Sequence, residues 1–279
     1  MTQKTWFITG ATRGIGAAIA KVVLDSGANV VVTGRSVEKL QTLFASYGTR
    51  VLALALDVND TTQIQAAVQA ATAQFGGIDV LVNNAGYGQL GLFEEISAAE
   101  INTQFNTNVF GSMNMVRAVL PIMRKQRRGH IFNLSSVGGI VGFSGASVYC
   151  ASKFAIEGFS ESLALEVAGF GIHITIVEPG FFRTDFLDQN SVRYGEIAIA
   201  DYAESSAASR QTYDAYNHQQ QGDPVKLGLA LLSLSAAPQP PLRFVAGSDA
   251  VGMIAGSLDR HAQELQQWRV LSTSTDGTF

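Results

Sequence analysis

Tyr149 and Lys153 stand four residues apart in Tyr149-Cys150-Ala151-Ser152-Lys153. On a helix that spacing puts both side chains on one face. A phenol normally loses its proton near pH 10, and a neighbouring ammonium favours the phenolate and draws that value down. A tyrosine tuned in this way exchanges a proton with a substrate oxygen near neutral pH. Taken alone, a Tyr-x-x-x-Lys is more often a surface pair. No competing chemistry is in view, because four histidines and one cysteine are too few for a structural zinc site, and no metal is expected. Cys150 has no evident histidine partner and reads as a small packing residue rather than a nucleophile.

A second group of residues could hold a phosphate. Thr9-Gly10-Ala11-Thr12-Arg13-Gly14-Ile15-Gly16 lies between a short β-rich run, Thr5 to Thr9, and a helical pattern from Ala17 to Leu24. Glycine is needed where backbone turns sharply or approaches a phosphate closely. The helix that follows points free N–H groups and a partial positive charge at a pyrophosphate. A glycine-rich turn without a ligand has the same composition, but strand before and helix after favour a dinucleotide. About 20 residues on, NAD sites place an acid for the ribose 2′-hydroxyl. Here the second strand ends Thr33-Gly34-Arg35-Ser36, with a base instead. Arg13 and Arg35 together suit a 2′-phosphate through charge-assisted, bidentate contacts, so NADP(H) is expected over NAD. Arg35 on a merely solvated loop is the competing reading.

These residues must be positioned by alternating strands and helices. Strands are predicted at Thr5 to Thr9, Asn29 to Thr33, Arg50 to Leu56, Ile78 to Val82, His130 to Leu134, Ile172 to Val177 and Arg243 to Val245. Helices are predicted at Ala17 to Leu24, Val37 to Tyr47, Thr61 to Phe75, Ala98 to Arg127 and Val148 to Ala168, with an extra C-terminal helix over Ala250 to Arg269. The strands are continuous apolar runs, as buried parallel strands are when helices cover both faces. The pattern predicts one doubly wound α/β domain spanning 1–279, with no repeat or low-complexity linker dividing it.

Composition excludes several other classes. Hydrophobic residues make up 47% and charged residues 15% of the 279 positions, enough apolar surface for a large core and too much for intrinsic disorder. Acids outnumber bases 23 to 19, which gives no basic face for nucleic acid or an anionic membrane. A single cysteine excludes an internal disulfide framework and fits a reducing, cytoplasmic setting. Residues Gly129 to Ser152 lack Asp, Glu, Lys and Arg, but Asn133, serines and glycines make them a buried strand plus loop rather than a membrane span. The N-terminus, Met1 to Thr5, has no apolar stretch of a signal peptide, and the last residues, through Thr278-Phe279, read as a frayed tail.

The ordered motifs resemble those of the short-chain dehydrogenases/reductases, in the single-domain branch. Thr9 to Gly16 matches that family's T-G-x-x-x-G-x-G loop, and Asn83-Asn84-Ala85-Gly86 its N-N-A-G. Asn133-Leu134-Ser135-Ser136, Tyr149 to Lys153 and Pro179-Gly180 follow in the right order. The resemblance covers nearly the whole chain to about Val177 and is weaker beyond. Gly222-Asp223-Pro224-Val225-Lys226 and the run from Pro240 to Ala250 are similar to the 17β-hydroxysteroid-dehydrogenase-like branch, whose substrate range is broad.

The resemblance implies a Rossmann-type three-layer sandwich with a seven-stranded parallel sheet, the cofactor lying across the strands' C-terminal ends. Ser136, 13 residues before Tyr149, is implied to hydrogen-bond the reacting oxygen; Ser135 is the alternative. Asn108, in Thr107-Asn108-Val109-Phe110-Gly111, is implied to hold a water next to Lys153 in a proton relay, though a purely structural asparagine is the other reading. Asp57 and Val58 are implied to bind adenine, while Asp57 as a cap for the helix near Thr61 weighs about equally. Asn84, Ala85 and Gly86 are implied to pass the adenosine ribose. Pro179, Gly180, the backbone at Phe182 and the hydroxyl of Thr184 are implied to hold the nicotinamide. Gly10, Thr12, Arg13, Gly14, Ile15 and Gly16 form the phosphate loop, and Tyr149 and Lys153 also contact the cofactor ribose.

The substrate lies in the variable segments. Leu92-Phe93, Val141-Gly142-Phe143 and Phe181 to about Tyr216 are expected as its walls, with Phe93, Phe143, Phe181, Leu187 and Tyr194 as pocket residues. The stretch at about 181–221 reads as a mobile lid over a hydrophobic small-molecule ketone or alcohol. About 248–279 is a C-terminal extension. The expected activity is NADPH-dependent carbonyl reduction. An NAD-dependent alcohol dehydrogenase of the same fold and a catalytically silent NADP-sensing protein are the alternatives. The family often forms dimers or tetramers through its long fourth and fifth helices, so a homo-oligomer is allowed, although the extra C-terminal helix could block one such interface.

Overall fold

The computed structural model describes residues 3–188 and 191–277. Met1 and Thr2 of the N-terminus, Gln189 and Asn190 of the expected lid, and Thr278 and Phe279 of the expected tail lie outside the described residues. In chain order the elements are β1 (Thr5–Ile8), α1 (Gly14–Asp25), β2 (Asn29–Gly34), α2 (Val37–Phe44), β3 (Val51–Ala55), α3 (Thr61–Phe75), β4 (Val80–Asn83), β5 (Gly88–Leu90) and α4 (Ala98–Phe105). Then come α5 (Gly111–Gln126), β6 (Gly129–Leu134), α6 (Ser147–Val167), β7 (Ile172–Pro179), β8 (Val192–Tyr194), α7 (Ala203–Tyr216), α8 (Pro224–Ala236), β9 (Arg243–Ala246) and α9 (Ser248–Thr273).

Seven strands form one sheet in the order β3-β2-β1-β4-β6-β7-β9, with every pairing parallel. Alternate residues of one strand feed two different cores. Trp6 and Ile8 of β1, Val30 and Val32 of β2, and Val80 and Val82 of β4 pack under α1 and α8. Phe7, Val31 and Leu81, the residues between them, pack under α3, α5 and α6. A strand buried on both sides has no polar face to show, which is why these runs do not alternate.

Local chemistry sets the helix boundaries. Asp60 caps α3 by accepting from the Thr62 and Gln63 N–H groups, and Gly76 ends it at φ 82°, in the left-handed region that favours glycine. Asp223 caps α8, with Pro224 in its first turn. The sequence predicts one helix from Ala98 to Arg127; the structure divides it into α4, a π-helical turn at Asn106–Phe110, and α5. The short parallel pair β5-β8 was not legible as a pattern, because three residues show no periodicity.

His130, in β6, is buried; its Nε2 lies 2.9 Å from Thr175 Oγ1 and its ring stacks on Phe132 at 4.0 Å between centroids. Burial, with smaller contributions from His173 and Lys4, pushes its pKa down to about 3. The unfolded chain takes up this proton near pH 6.5 and the folded chain does not. The stability His130 leaves intact above pH 6.5 is therefore lost as the pH falls toward 3. Between pH 7 and 5 the unfolding free energy of the wild type should drop about 2 kcal/mol further than that of His130→Gln. Urea titrations of both proteins at the two pH values check this, the difference isolating His130 from other titrating groups.

Candidate active site

Loops at the C-terminal ends of the strands meet in a cavity of about 580 Å³. It opens where the strand order reverses, between β1 and β4, the place where open parallel sheets bind ligands. The loop after β1 supplies Gly10, Thr12, Arg13, Gly14 and Ile15 to its wall. Gly10 has φ 67°, and a Cβ there would stand 2.9 Å from Ala85 Cα, so only glycine permits this approach to the β4 loop. Asn84 ties the two loops together by donating its amide N–H groups to the Thr9 and Gly10 carbonyls at 2.9 and 3.0 Å. Asn84, Ala85 and Gly86 themselves line the cavity.

Arg13 and Arg35 are exposed on the wall of the cavity. Among the described residues neither forms an ion pair with an acid, so both cations are available to an anion. Asp57 and Val58 line the same end. Asp57 is not the cap of α3, a role Asp60 takes; its carboxylate instead accepts the Asn59 N–H at 2.9 Å. These loops fit a dinucleotide: a glycine-lined turn at a helix N-terminus, then two cations and an acid at the far end.

At the inner end Ser136, Tyr149 and Lys153 converge. Ser136, two residues past the end of β6, caps the short turn that follows, accepting the Gly138 N–H at 3.1 Å. A Cβ on Gly138 would stand 3.3 Å from Tyr149 Cε1 and 3.5 Å from Ser136 Oγ, so this glycine is the gap across which the two groups meet. Ser135 Oγ instead flanks Gly139 beside Glu157. Of the two serines, the structure puts Ser136 nearer the phenol. Lys153 is buried, its Nζ donating to the Leu134 carbonyl at 2.7 Å and lying 5.8 Å from the centre of the Tyr149 ring.

In the protein alone, burial rather than the neighbouring ammonium dominates the Tyr149 phenol. Burial pushes the Tyr149 phenol up to about 12, more than its hydrogen bond with Ser136 draws it down. Burial also brings the Lys153 ammonium down to about 8, with Glu157 opposing. One turn further along α6, Glu157 is pushed up to about 7, chiefly by burial and then by the neighbouring Glu178, against the pull of Ser135 and Arg243. Arg243 of β9 joins Glu157, Glu178 at 3.2 Å and Glu161 at 2.7 Å in one network behind the lysine.

Pro179, Gly180, Phe182 and Thr184, after β7, line the cavity. Gly180 leaves room for the Asp249 carboxylate, which accepts the Phe181 N–H at 2.8 Å. Phe143, Phe181 and Leu187 line it as expected.

Four of the expected site residues do not reach the wall, and neither do Leu92, Val141 and Gly142 of the expected wall segments. Gly16 is buried behind the loop, where a Cβ would stand 2.5 Å from Asn84 Nδ2 and the Gly10 carbonyl, so tight packing requires glycine here. Phe93 is 62% exposed on a short turn outside the cavity. Tyr194 packs beside Phe143 and Tyr149 but lies behind the lining, with Arg210 over its ring at 4.7 Å. Asn108 is buried in the π-helical turn, its side chain accepting the Tyr87 N–H and donating to the Tyr87 carbonyl and Ser152 Oγ. That side chain is committed to protein groups and does not face the cavity.

The wall also holds Tyr87, Leu90 and Ala146, outside the expected segments, and Ser191, Arg193, Tyr213 and Gln220, which lie within the expected stretch at about 181–221 but were not singled out. They come from β5, β8, α7 and irregular stretches. No motif marks such positions.

A doubly wound parallel sheet with a glycine loop at its switch point and a Ser-Tyr-Lys set at the inner end defines a nicotinamide-dependent oxidoreductase. A family model described as short chain dehydrogenase matches residues 4–194, and the chain belongs to that family. It is similar to Oxidoreductase BOA17 of Botryotinia fuckeliana, 38% identical over 98% of this chain and 99% of the relative. It is also similar to the 3-ketodihydrosphingosine reductase of Bacteroides thetaiotaomicron, 39% identical over 88% of this chain and 89% of the relative. Among solved structures, a short-chain dehydrogenase from Streptomyces avermitilis superposes with a TM-score of 0.90 at 41% identity, over 98% of this chain and 100% of that one. A short-chain dehydrogenase/reductase from Burkholderia phymatum in complex with NAD gives 0.83 at 26% identity, over 95% of both chains. A serine dehydrogenase complexed with NADP+ gives 0.75 at 28%, over 86% of this chain and 93% of that one.

Arg243→Gln would leave Glu157 and Glu178 buried without their cation. The loss should be about 2 kcal/mol of unfolding free energy at pH 8, toward the low side for a buried pair because water screens the partly exposed arginine. At pH 5.5 the loss should shrink, since acids with raised pKa values take up protons and need no counter-charge. Urea denaturation of the variant and wild type at both pH values measures it.

Proposed function

We propose that the protein is an NADPH-dependent carbonyl reductase acting on hydrophobic ketones, with the alcohol as the product. The observation that carries this reading is the convergence of Ser136, Tyr149 and Lys153 on one cavity with the Gly10 loop. Bound nicotinamide would supply the hydride. The chain's own residues hold the oxygen and move the proton. Ser136 Oγ and the Tyr149 hydroxyl hydrogen-bond the carbonyl oxygen, orienting it and steadying the charge that develops there. Tyr149, kept as the neutral phenol by burial, has the proton that reduction requires. Lys153 binds ribose hydroxyls and places its charge near the phenol. Asn108 holds a water beside Lys153 that reprotonates Tyr149; with its side chain committed to Tyr87 and Ser152, this role falls to its backbone.

The apolar wall of Phe143, Phe181, Phe186 and Leu187 supports a hydrophobic substrate. So does the name of the 39%-identical relative, a 3-ketodihydrosphingosine reductase. We read the whole chain as one Rossmann-fold unit, with about 181–221 as a lid over the substrate and about 248–279 as an extension. No helix among the described residues is long and apolar enough to cross a membrane, and the reading places the enzyme in the cytoplasm. Arg13 and Arg35 support NADP(H). The NAD-bound neighbour favours the second reading, an NAD-dependent dehydrogenase of the same fold.

A ketone panel followed by NADPH absorbance tests the activity. Tyr149→Phe should lower kcat by about 10²-fold or more, as expected for loss of a general acid, while NADPH affinity measured by fluorescence stays within about threefold. Activity kept within a few-fold would remove Tyr149 from the chemistry. Arg35→Asp should raise KM for NADPH by about tenfold or more and change KM for NADH little, since a carboxylate repels the 2′-phosphate. Equal effects on both cofactors would favour the NAD reading.

A further inference from the structure

The cavity wall formed by the segment after β7 carries polar groups that the proposed chemistry does not use. Gln220 is 1% exposed and Ser191 8% exposed, and both line the cavity. Among the described residues neither Gln220 Oε1 nor Ser191 Oγ has a hydrogen-bond partner. A buried polar atom left unpaired costs about 1–3 kcal/mol, and folded proteins seldom leave one without cause.

The surrounding contacts tie together the two stretches that carry these groups. The Asp188 carboxylate accepts from Asn217 Nδ2 at 2.7 Å and pairs with His218 Nε2 at 3.1 Å. Ser191 N–H donates to the Asp188 carbonyl at 2.7 Å. Gln220 follows His218 by two residues, and its own carbonyl accepts from Arg183 Nε at 3.2 Å. The stretches that carry Ser191 and Gln220 are thus fastened to each other through Asp188. Around them the wall is aromatic, with Phe181 set edge-on to Tyr216 at 5.1 Å and Phe186 5.8 Å from the Tyr149 ring.

We propose that Gln220 and Ser191 bind a second oxygen of the substrate, a hydroxyl group separate from the carbonyl that reacts, so that the preferred substrates are hydroxylated apolar ketones. This rests on the carbonyl-reductase reading above. A hydroxyl both gives and takes a hydrogen bond, so it satisfies the amide of Gln220 in either orientation and the hydroxyl of Ser191 as well. A second ketone only accepts, and would leave Gln220 Oε1 unpaired. On the part of the wall built by the segment after β7, Asp185 and Arg193 carry opposite charges, which favours neither a cationic nor an anionic substituent there. The reacting oxygen belongs to Ser136 and Tyr149, on the loop after β6 and on α6. The second oxygen belongs to the segment after β7.

The test compares matched ketones, straight-chain and fused-ring, with and without a hydroxyl moved stepwise away from the carbonyl. The wild type should prefer one hydroxylated member by about tenfold or more in kcat/KM over its plain partner, the worth of one well-made buried hydrogen bond. In Gln220→Met and in Ser191→Ala, each checked for an unchanged melting temperature, that ratio should fall to within about threefold. The ratio compares two substrates on one protein, so general damage cancels. If the wild type shows no preference at any position, water satisfies the two groups and the proposal falls. A preference that survives both variants also overturns it. Equilibrium binding of the same compounds separates this from the parent reading. No turnover with a hydroxyl preference that Gln220→Met abolishes would discard the reductase and keep the site. Turnover without any hydroxyl preference would do the reverse, and neither turnover nor preference would remove both.

Discussion

Covering a parallel sheet on both faces leaves its strands no exposed polar side, and everything chemical in this protein follows from that constraint. The residues between Trp6 and Ile8, Val30 and Val32, and Val80 and Val82 face one core, while those six flanking residues face the other. A functional group placed mid-strand would be buried and would need a partner there, as His130 has in Thr175. The ends of the strands are where backbone leaves the sheet and polar groups meet solvent. All strands run the same way, so one rim collects the loops after β1, β2, β3, β4, β6 and β7. The cavity is the floor of that rim, and its order from Arg35 to Tyr149 is the order of the strands beneath it.

The helix α6, which carries Tyr149 and Lys153, is held by charge as well as by packing. Tyr149, Lys153 and Glu157 are spaced one turn apart on α6, and the last two are buried. Burial acts on both in the direction that neutralises them, bringing the lysine down to about 8 and the glutamate up to about 7. Glu157 opposes that shift in the lysine, and Ser135 and Arg243 oppose it in the glutamate. Arg243 then adds a full positive charge from β9, the last strand of the sheet, shared among three acids. Such a network brings little net stability, because its desolvation offsets its attraction. What it does supply is registry. It fastens the edge strand to the helix that carries Tyr149, two elements that lie far apart in the chain.

The fold was legible in the sequence because it rests on strong, repeated signals. Seven apolar runs became seven parallel strands, and Thr61 to Phe75 is a helix with the bounds that its capping aspartate and terminal glycine set. The phosphate loop, Ser136, Tyr149 and Lys153 were legible because their types and spacing are tied to the backbone that displays them. The π-helical turn at Asn106–Phe110 was hidden, since one extra residue in a helix does not change which residue types face inward. Gly16 and Asn108 show a different limit. Their identity is demanded by tight packing and local hydrogen bonds around the site, which residue type and spacing do not display.

The substrate wall was the least legible part, for a physical reason. Phe93 and Tyr194 are aromatic residues in loops, and the sequence could not distinguish a side chain that faces a cavity from one that faces water or a neighbour. One is turned to solvent and the other is covered by Arg210. Ser191 and Gln220 are ordinary residues in polar stretches, without periodicity or motif. They matter only because the loop around Asp188 buries them with an atom each left unpaired. Specificity of this kind is a property of three-dimensional closure. The chain writes its family motifs in short local stretches that the sheet aligns, whereas the make-up of the cavity wall depends on which side chains the folded segment after β7 removes from water.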